Sequence, residues 1–335
     1  MKTYELKETK DPDIFRVVDR EGNWENYFVK SLNAYLRGVT TILNGGYAKG
    51  AFFDQWLSQH TADERDAILK AAGEKGDKVH RAIDLILSAK GKFALDATTG
   101  ILNRETGDHE PLSAQEWDCM LAFESFWGAH APVVLVSEAT LYNLGSGYAG
   151  TADAILILTK ACGVKACRCE ELVGQVGLYD WKTSGGIRAS YSAQVAAYAN
   201  ASNIVQYLPL GYKAPDYTAV LRLGTNHKTT GGYEFKAWDR EATGEAFVRF
   251  CGARNIYEAE HKPFDPATDI QEIPDEVKFD VPHYDFTKPK IKVETKPEKQ
   301  NGKNTRSDDQ AGRGAKVGPR KAGNSPRRKG QKRKS

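Results

Sequence analysis

The chain has 335 residues, 40% apolar, 10% aromatic and 27% charged, with a formal net charge of +3, an ordinary globular composition with room for one large domain or two small ones. It excludes a fibre and a fully disordered chain, and the longest apolar runs, such as Ala154 to Leu158, fall far below the roughly 20 residues of a membrane helix. Lys2, Glu5, Lys7 and Glu8 suit neither a secretory signal nor a transit peptide, so an intracellular, cytoplasmic protein without a membrane partner is expected.

Residues 1–38 are polar and mixed, with short alternations such as Phe15-Arg16-Val17-Val18. They predict a strand or two in an N-terminal extension. From Val39-Thr40-Thr41-Ile42-Leu43 the chain passes through Gly45-Gly46 into helical periodicity over about 51–72, 74–90 and 114–130. After Pro132 the period becomes that of strands, at Val133 to Tyr142, Tyr148 to Leu158 and Val176 to Thr183, which read as a meander. A helix is expected over about Ser190 to Tyr207, then strands at Tyr217 to Leu223 and Tyr233 to Trp238, then an amphipathic helix over about Arg240 to His261.

The main domain is expected to span 39–284 and to end near Tyr284, with 285–335 as a tail. From Lys288 onward the tail holds 17 Lys plus Arg against 4 Asp plus Glu, leaving 30 against 40 for the rest. Nearly free of large apolar residues, it cannot offset its ordering entropy and is expected to be disordered. Its basic end, with Arg327, Arg328, Lys329, Lys332, Arg333 and Lys334, predicts contact with a polyanion such as DNA; a solvated solubility tail or localisation signal is the plainer reading.

Five cysteines are few for this length, and Cys162, Cys167 and Cys169 crowd into one loop. That does not look like a secreted disulfide framework, and the spacing matches neither a CxxC zinc knuckle nor a familiar iron-sulfur pattern. The segment reads as a surface loop with incidental thiols.

Gly145-Ser146-Gly147-Tyr148-Ala149-Gly150 fits GxGxxG spacing, but the residues that follow favour a strand rather than the helix a dinucleotide site needs. A hairpin turn is expected instead, and no GxxxxGK[ST] phosphate loop is present. The informative feature is a pair of carboxylates on adjacent strands. Asp153 lies in an otherwise apolar strand, and Asp180-Trp181-Lys182 ends a later one. Period-two geometry puts Asp180 and Lys182 on one face and Trp181 on the other. Two close carboxylates repel unless a cation sits between them, and hard divalent ions prefer oxygen ligands, so Mg²⁺ or Mn²⁺ is expected. A turn aspartate and a solvated strand-end ion pair are the plainer alternative.

Four motifs in order, Gly76-Asp77-Lys78-Val79-His80, Gly150-Thr151-Ala152-Asp153, Asp180-Trp181-Lys182-Thr183-Ser184 and Gln194-Val195-Ala196-Ala197-Tyr198, resemble the PD-(D/E)XK nuclease superfamily. The likeness is to its RecB-like and phage-type exonuclease branch, which includes CRISPR-associated relatives, and it covers roughly residues 38–262. It implies an α/β, restriction-endonuclease-like core, a mixed β-sheet flanked by helices. It also implies a metal held by His80, Asp153 and Asp180, a catalytic set of Asp153, Asp180 and Lys182, and Gln194 and Tyr198 beside the site. Glu138, on the preceding strand, is an additional candidate acid.

The resemblance carries no iron-sulfur cluster over, because the three cysteines lie inside the core. It implies a metal-dependent DNA nuclease, an exonuclease in phage-type recombination or DNA processing, partnered by DNA and by a recombinase or single-strand annealing protein in a phage host's cytoplasm. The alternatives are an endonuclease of the same fold and a non-catalytic nucleic-acid-binding protein.

Overall fold

A computed structural model describes residues 4–264 apart from 20–23, 90–92, 104–106, 165–166 and 226–230. The expected end near Tyr284, the basic tail and its Arg327, Arg328, Lys329, Lys332, Arg333 and Lys334 lie outside the described residues.

The chain opens with four strands, β1 (Tyr4–Glu8), β2 (Ile14–Asp19), β3 (Trp24–Val29) and β4 (Ala34–Gly38). Helices α1 (Val39–Gly46), α2 (Ala51–Gln59) and α3 (Ala62–Ser88) follow, then the short strands β5 (Ile101–Leu102) and β6 (His109–Glu110) and helix α4 (Ala114–His130). Strands β7 (Val133–Asn143), β8 (Tyr148–Ile157) and β9 (Val176–Lys182) precede α5 (Ala189–Ala199), β10 (Tyr217–Arg222), β11 (Glu234–Trp238) and α6 (Arg240–Glu260).

Nine of the described strands form one mixed sheet, in the order β1-β2-β3-β4-β8-β9-β10-β11, with β7 also paired to β8. The first four strands are an antiparallel meander joined to this sheet by the parallel pair Arg37↔Tyr148 and Gly38↔Ala149. The strand or two expected over residues 1–38 is therefore four. Their alternation is short and interrupted by polar residues, which hides it from a period count. The β7-β8-β9 meander is as expected, and β9 and β10 are parallel across the α5 crossover.

Alternation along the central strands divides the apolar residues between two layers. Leu178 and Val220 pack with Ile42 of α1, Ala193 and Ala197 of α5 and Phe250 of α6. On the other face Tyr179, Trp181, Ala219 and Leu221 pack with Ile83 of α3 and Phe123 and Phe126 of α4. The domain is thus mixed α/β, a sheet covered by helices on both faces.

Two helix boundaries differ from the periodicity. The break expected near Gly73 falls instead at His60 and Thr61, where the Thr61 hydroxyl accepts from the Glu64 N–H and the Glu64 carboxylate accepts from the Thr61 N–H. This reciprocal cap contributes about 1 kcal/mol and starts α3 early enough to run straight through Gly73. The helix expected to reach Tyr207 stops at Ala199, and a separate short turn covers Ile204–Tyr207. Asn203 interrupts it by bonding the β7 backbone, accepting from the Tyr142 N–H at 2.9 Å and donating to the Thr140 carbonyl at 3.0 Å. Between β7 and β8 the GxGxxG segment is a tight turn, as expected.

Candidate active site

Strand β8 changes partners along one edge. It pairs with β4 at residues 148 and 149 and with β9 from Ala154 to Ile157. Among the described residues no strand pairs 150–153 on that edge, and Asp153 sits at the end of this gap. Its Oδ2 accepts the Trp181 backbone N–H at 2.6 Å. The carboxylate thereby takes the place of a ladder carbonyl, and the Asp153 side chain is fixed against β9.

The pleat also changes phase here. Ala152 packs in the α1/α5/α6 layer but Ala154, two residues on, packs in the α3/α4 layer. On β7, Ser137 donates to Asp84 of α3 at 2.6 Å, whereas Ala139 packs on the α5 side. Between them Glu138 adopts φ +54°, in the left-handed region that a non-glycine residue occupies at a cost of about 1–3 kcal/mol. Since Ser137 pairs with Ala154 and Ala139 with Ala152, Glu138 stands opposite Asp153. The change of phase thus falls at the two acids, which stand opposite each other on neighbouring strands.

The partners arrive from both faces of the sheet. From α3, His80 Nδ1 lies 3.1 Å from Asp153 Oδ1. From α5, Gln194 Nε2 donates to Asp180 Oδ1 at 2.9 Å and to the Tyr198 hydroxyl at 3.1 Å, so residues four apart on one helix turn work as a pair. The Tyr198 ring is admitted by Gly150, where a Cβ would fall 2.6 Å from a ring carbon. Asp180 Oδ2 is buried and ion-paired with the Lys182 ammonium. That ammonium sits 4.9 Å from the Tyr191 ring centroid. Trp181 points the other way into the core and is 1% exposed, edge-on to Phe123.

The electrostatics follow from burying several acids together. Burial, reinforced by the Asp153 charge and offset by Lys182, pushes Asp180 up to about 6. Burial and the Asp153 charge push Glu138 up to about 7, against the pull of His80 and Arg16. Burial alone would lower His80, but the charge and hydrogen bond of Asp153 outweigh it and raise the imidazole to about 9. Burial would raise Asp153, yet His80, Lys182 and the Trp181 N–H hold it below the usual carboxylate range. For Lys182 burial is outweighed by Asp180 and Asp153, so its pKa is raised and it remains an ammonium.

The sequence reading placed His80, Glu138, Asp153, Asp180, Lys182, Gln194 and Tyr198 near one another, and all seven meet here. It missed Arg16, which reaches from β2 to within 3.8 Å of Glu138; its only sequence signal is a charge inside the apolar alternation Phe15-Arg16-Val17-Val18. It also missed the walls of the cleft that His80 and Lys182 border. This cleft, of about 1380 Å³, is lined by Tyr47, Phe53 and Trp56 and by Lys49, Lys75 and Arg188.

The cysteine segment does not fit the surface-loop reading. Cys169 is 2% exposed, and Cys162 and Cys169 gather against His130, 32 residues before Cys162 in sequence. Helix α4 and the β8–β9 connection bring them together, which no local spacing reveals.

Among the described residues no helix is long and apolar enough to cross a membrane. No protein-family profile matches the sequence, and neither does any curated protein. Among solved structures, the crystal structure of LHK-Exo in complex with dAMP matches at 12% identity over 47% of this chain and 75% of that one, with a TM-score of 0.27. A superposition this loose bears on neither fold nor function.

Proposed function

We infer that the protein is a divalent-metal-dependent DNA nuclease. The carrying observation is the convergence of Glu138, Asp153 and Asp180 beside an ammonium at the edge of an aromatic and basic cleft. Buried carboxylates whose pKa values are pushed apart by burial and by unequal neighbours mark a functional site, and close like charges of this kind are relieved by a cation. The donor set is dominated by hard carboxylate oxygens from Glu138, Asp153 and Asp180, which suits Mg²⁺ or Mn²⁺. Asp153 and Asp180 would hold the ion, with His80 and Glu138 beside it. When bound, it supplies charge for the scissile phosphate and acidifies the attacking water.

The chain's own groups do the rest. Lys182, kept charged by its neighbours, donates to the attacking water or to a phosphoryl oxygen and stabilises the charge that grows there; as an ammonium it is a donor, not a base. Gln194 holds Asp180 in orientation through its amide, and Tyr198 backs Gln194. The Trp181 N–H fixes Asp153. Lys49, Lys75 and Arg188 meet the phosphates of a strand in the cleft, and Tyr47, Phe53 and Trp56 offer faces for unstacked bases. In the net reaction a water oxygen bonds to phosphorus, the bond to the departing sugar oxygen breaks, and that oxygen takes up a proton.

The finer assignment, an exonuclease acting in recombination or DNA processing ahead of a recombinase or annealing protein, is supported by the resemblance of the four motifs. The test is cleavage of end-labelled linear and covalently closed circular DNA with Mg²⁺, Mn²⁺ or EDTA. Metal-dependent loss of linear DNA alone is the expected result, and cutting of the circle would make the enzyme an endonuclease. DNA binding without cleavage under any metal would leave a binding protein of the same fold.

A further inference from the structure

We propose that His130, Cys162, Cys167 and Cys169 form a closed structural zinc site that clips the β8–β9 connection to the C-terminal end of α4. This inference is independent of the nuclease reading.

The geometry carries it. An imidazole nitrogen of His130 and the sulfurs of Cys162 and Cys169 all lie within 4.8 Å of one another, and the two sulfurs are 3.3 Å apart. Cys167, on the same loop, interacts with both thiols but stands outside the set already gathered within 4.8 Å around the imidazole. A tetrahedral zinc site with Zn–S near 2.3 Å sets its ligand atoms roughly 3.5–3.8 Å apart, so a small adjustment seats these three, and Cys167 completes the four by turning its thiol toward them. The sulfur separation is well beyond the roughly 2.05 Å of a disulfide, and the described cysteines are free thiols.

The surroundings match those of a metal clip. The Val164 N–H donates to Cys162 Sγ at 3.4 Å and the Cys162 N–H to Cys169 Sγ at 3.3 Å, bonds that stabilise thiolates. The first of these turns on Gly163, whose φ of +74° is open to glycine and costly for other residues. His130 is fully buried, with Nδ1 3.3 Å from the Lys160 carbonyl and Nε2 3.3 Å from the Tyr233 hydroxyl. A carbonyl on Nδ1 is the usual outer partner that fixes the tautomer, and Nε2 would reach the metal by giving up its contact with the Tyr233 hydroxyl. The loop is already anchored to α4: the Thr159 and Lys160 N–H groups donate to the His130 carbonyl, and the Thr159 hydroxyl donates to the Ala131 carbonyl.

Three thiolates and a neutral imidazole make a soft set that selects zinc over hard cations. As each Zn–S bond forms, a thiol proton leaves to solvent. With four protein ligands no position stays open for water, so the role is structural. Its placement between the strands bearing Asp153 and Asp180 lets it hold their register.

The test uses the full chain, purified under reducing conditions, with Zn²⁺ and Co²⁺ as probes. One equivalent of zinc by mass spectrometry is expected, and Co²⁺ should give sulfur-to-metal charge-transfer absorption with intense tetrahedral visible bands. Cys162→Ser or Cys167→Ser, half-buried and hence tolerated by the fold, should each remove about a third of the charge-transfer intensity. Cys251→Ser, in the opposite layer, should leave it unchanged. Removing zinc should lower the melting temperature by several degrees in the parent and by much less in the variants. No zinc uptake by the reduced chain, undiminished Co²⁺ spectra in the variants, an iron chromophore, or a metal-free chain two daltons light through a Cys162–Cys169 bond would each overturn the proposal.

Discussion

The two ends of the β8–β9 pair are built from different chemistry. At one end Asp153 and Asp180, with Glu138 from β7, gather oxygen donors around a lysine. At the other, the connecting loop gathers sulfurs against the imidazole of His130. Ala154 to Ile157, paired with Val176 to Tyr179, separate them. The lesson is one of sorting. Hard donors sit beside a large open cleft, where a substrate can enter, and soft donors are packed against an aromatic wall, where nothing needs to. His130 makes this plain, with its ring centroid 4.8 Å from that of Phe126 and 5.8 Å from that of Phe235, whereas His80 borders the cleft.

The largest expected effect tests whether the two ends share one support. Among the described residues Trp181 is the bulkiest fully buried side chain, and Trp181→Ala should cost about 3–5 kcal/mol in denaturant unfolding. If the strand pair is the common support, this change should also weaken metal binding at both ends. A stable variant with both ends intact would separate them.

Lys182→Ala acts at one end only. Loss of one preorganised donor should lower the cleavage rate by about 10² to 10³-fold, with zinc content little changed and a lower melting temperature at neutral pH, because the buried Asp180 loses its cation. Activity retained within a few-fold would remove Lys182 from the chemistry.

Zinc removal acts at the other end. A clip saturated to about 100 times its dissociation constant contributes about 2.7 kcal/mol, and its loss should appear as a lower melting temperature in calorimetry. Cleavage should fall less than in Lys182→Ala. A loss as large as that variant's would show that the clip sets the geometry of the acids.

The smallest effect concerns the Tyr198 seat. Gly150→Ala puts a methyl against the ring and should cost about 1–3 kcal/mol by overpacking. By displacing Tyr198 and Gln194 it should also slow cleavage while sparing zinc content. A neutral result in both readouts would mean that the ring moves aside freely.

Much of this architecture is visible in one dimension. The period-two runs of β7, β8 and β9, the helical runs of α4 and α6, the hairpin at Gly145 to Gly150 and the opposed faces of Asp180 and Trp181 follow from local alternation, since side-chain direction repeats every two residues in a strand and about every 3.6 in a helix. The acids and the lysine were legible for the same reason: a charge inside an apolar strand stands out.

What local periodicity could not decide is which segments become neighbours. Arg16 reaches Glu138 only because β1 to β4 join the main sheet through β4 and β8. Glu138 faces Asp153 only because β7 and β8 pair in this register, and a positive φ leaves no mark on a hydropathy pattern. His130 and the cysteines belong to different elements, and their meeting is set by how α4 docks on the sheet. Local periodicity determined the elements, their order and most of the acids, and the ordered motifs pointed to His80 and Gln194; tertiary packing alone brought Arg16 to those acids and His130 to the thiols, because pairing and docking are long-range choices made by burial of the whole core.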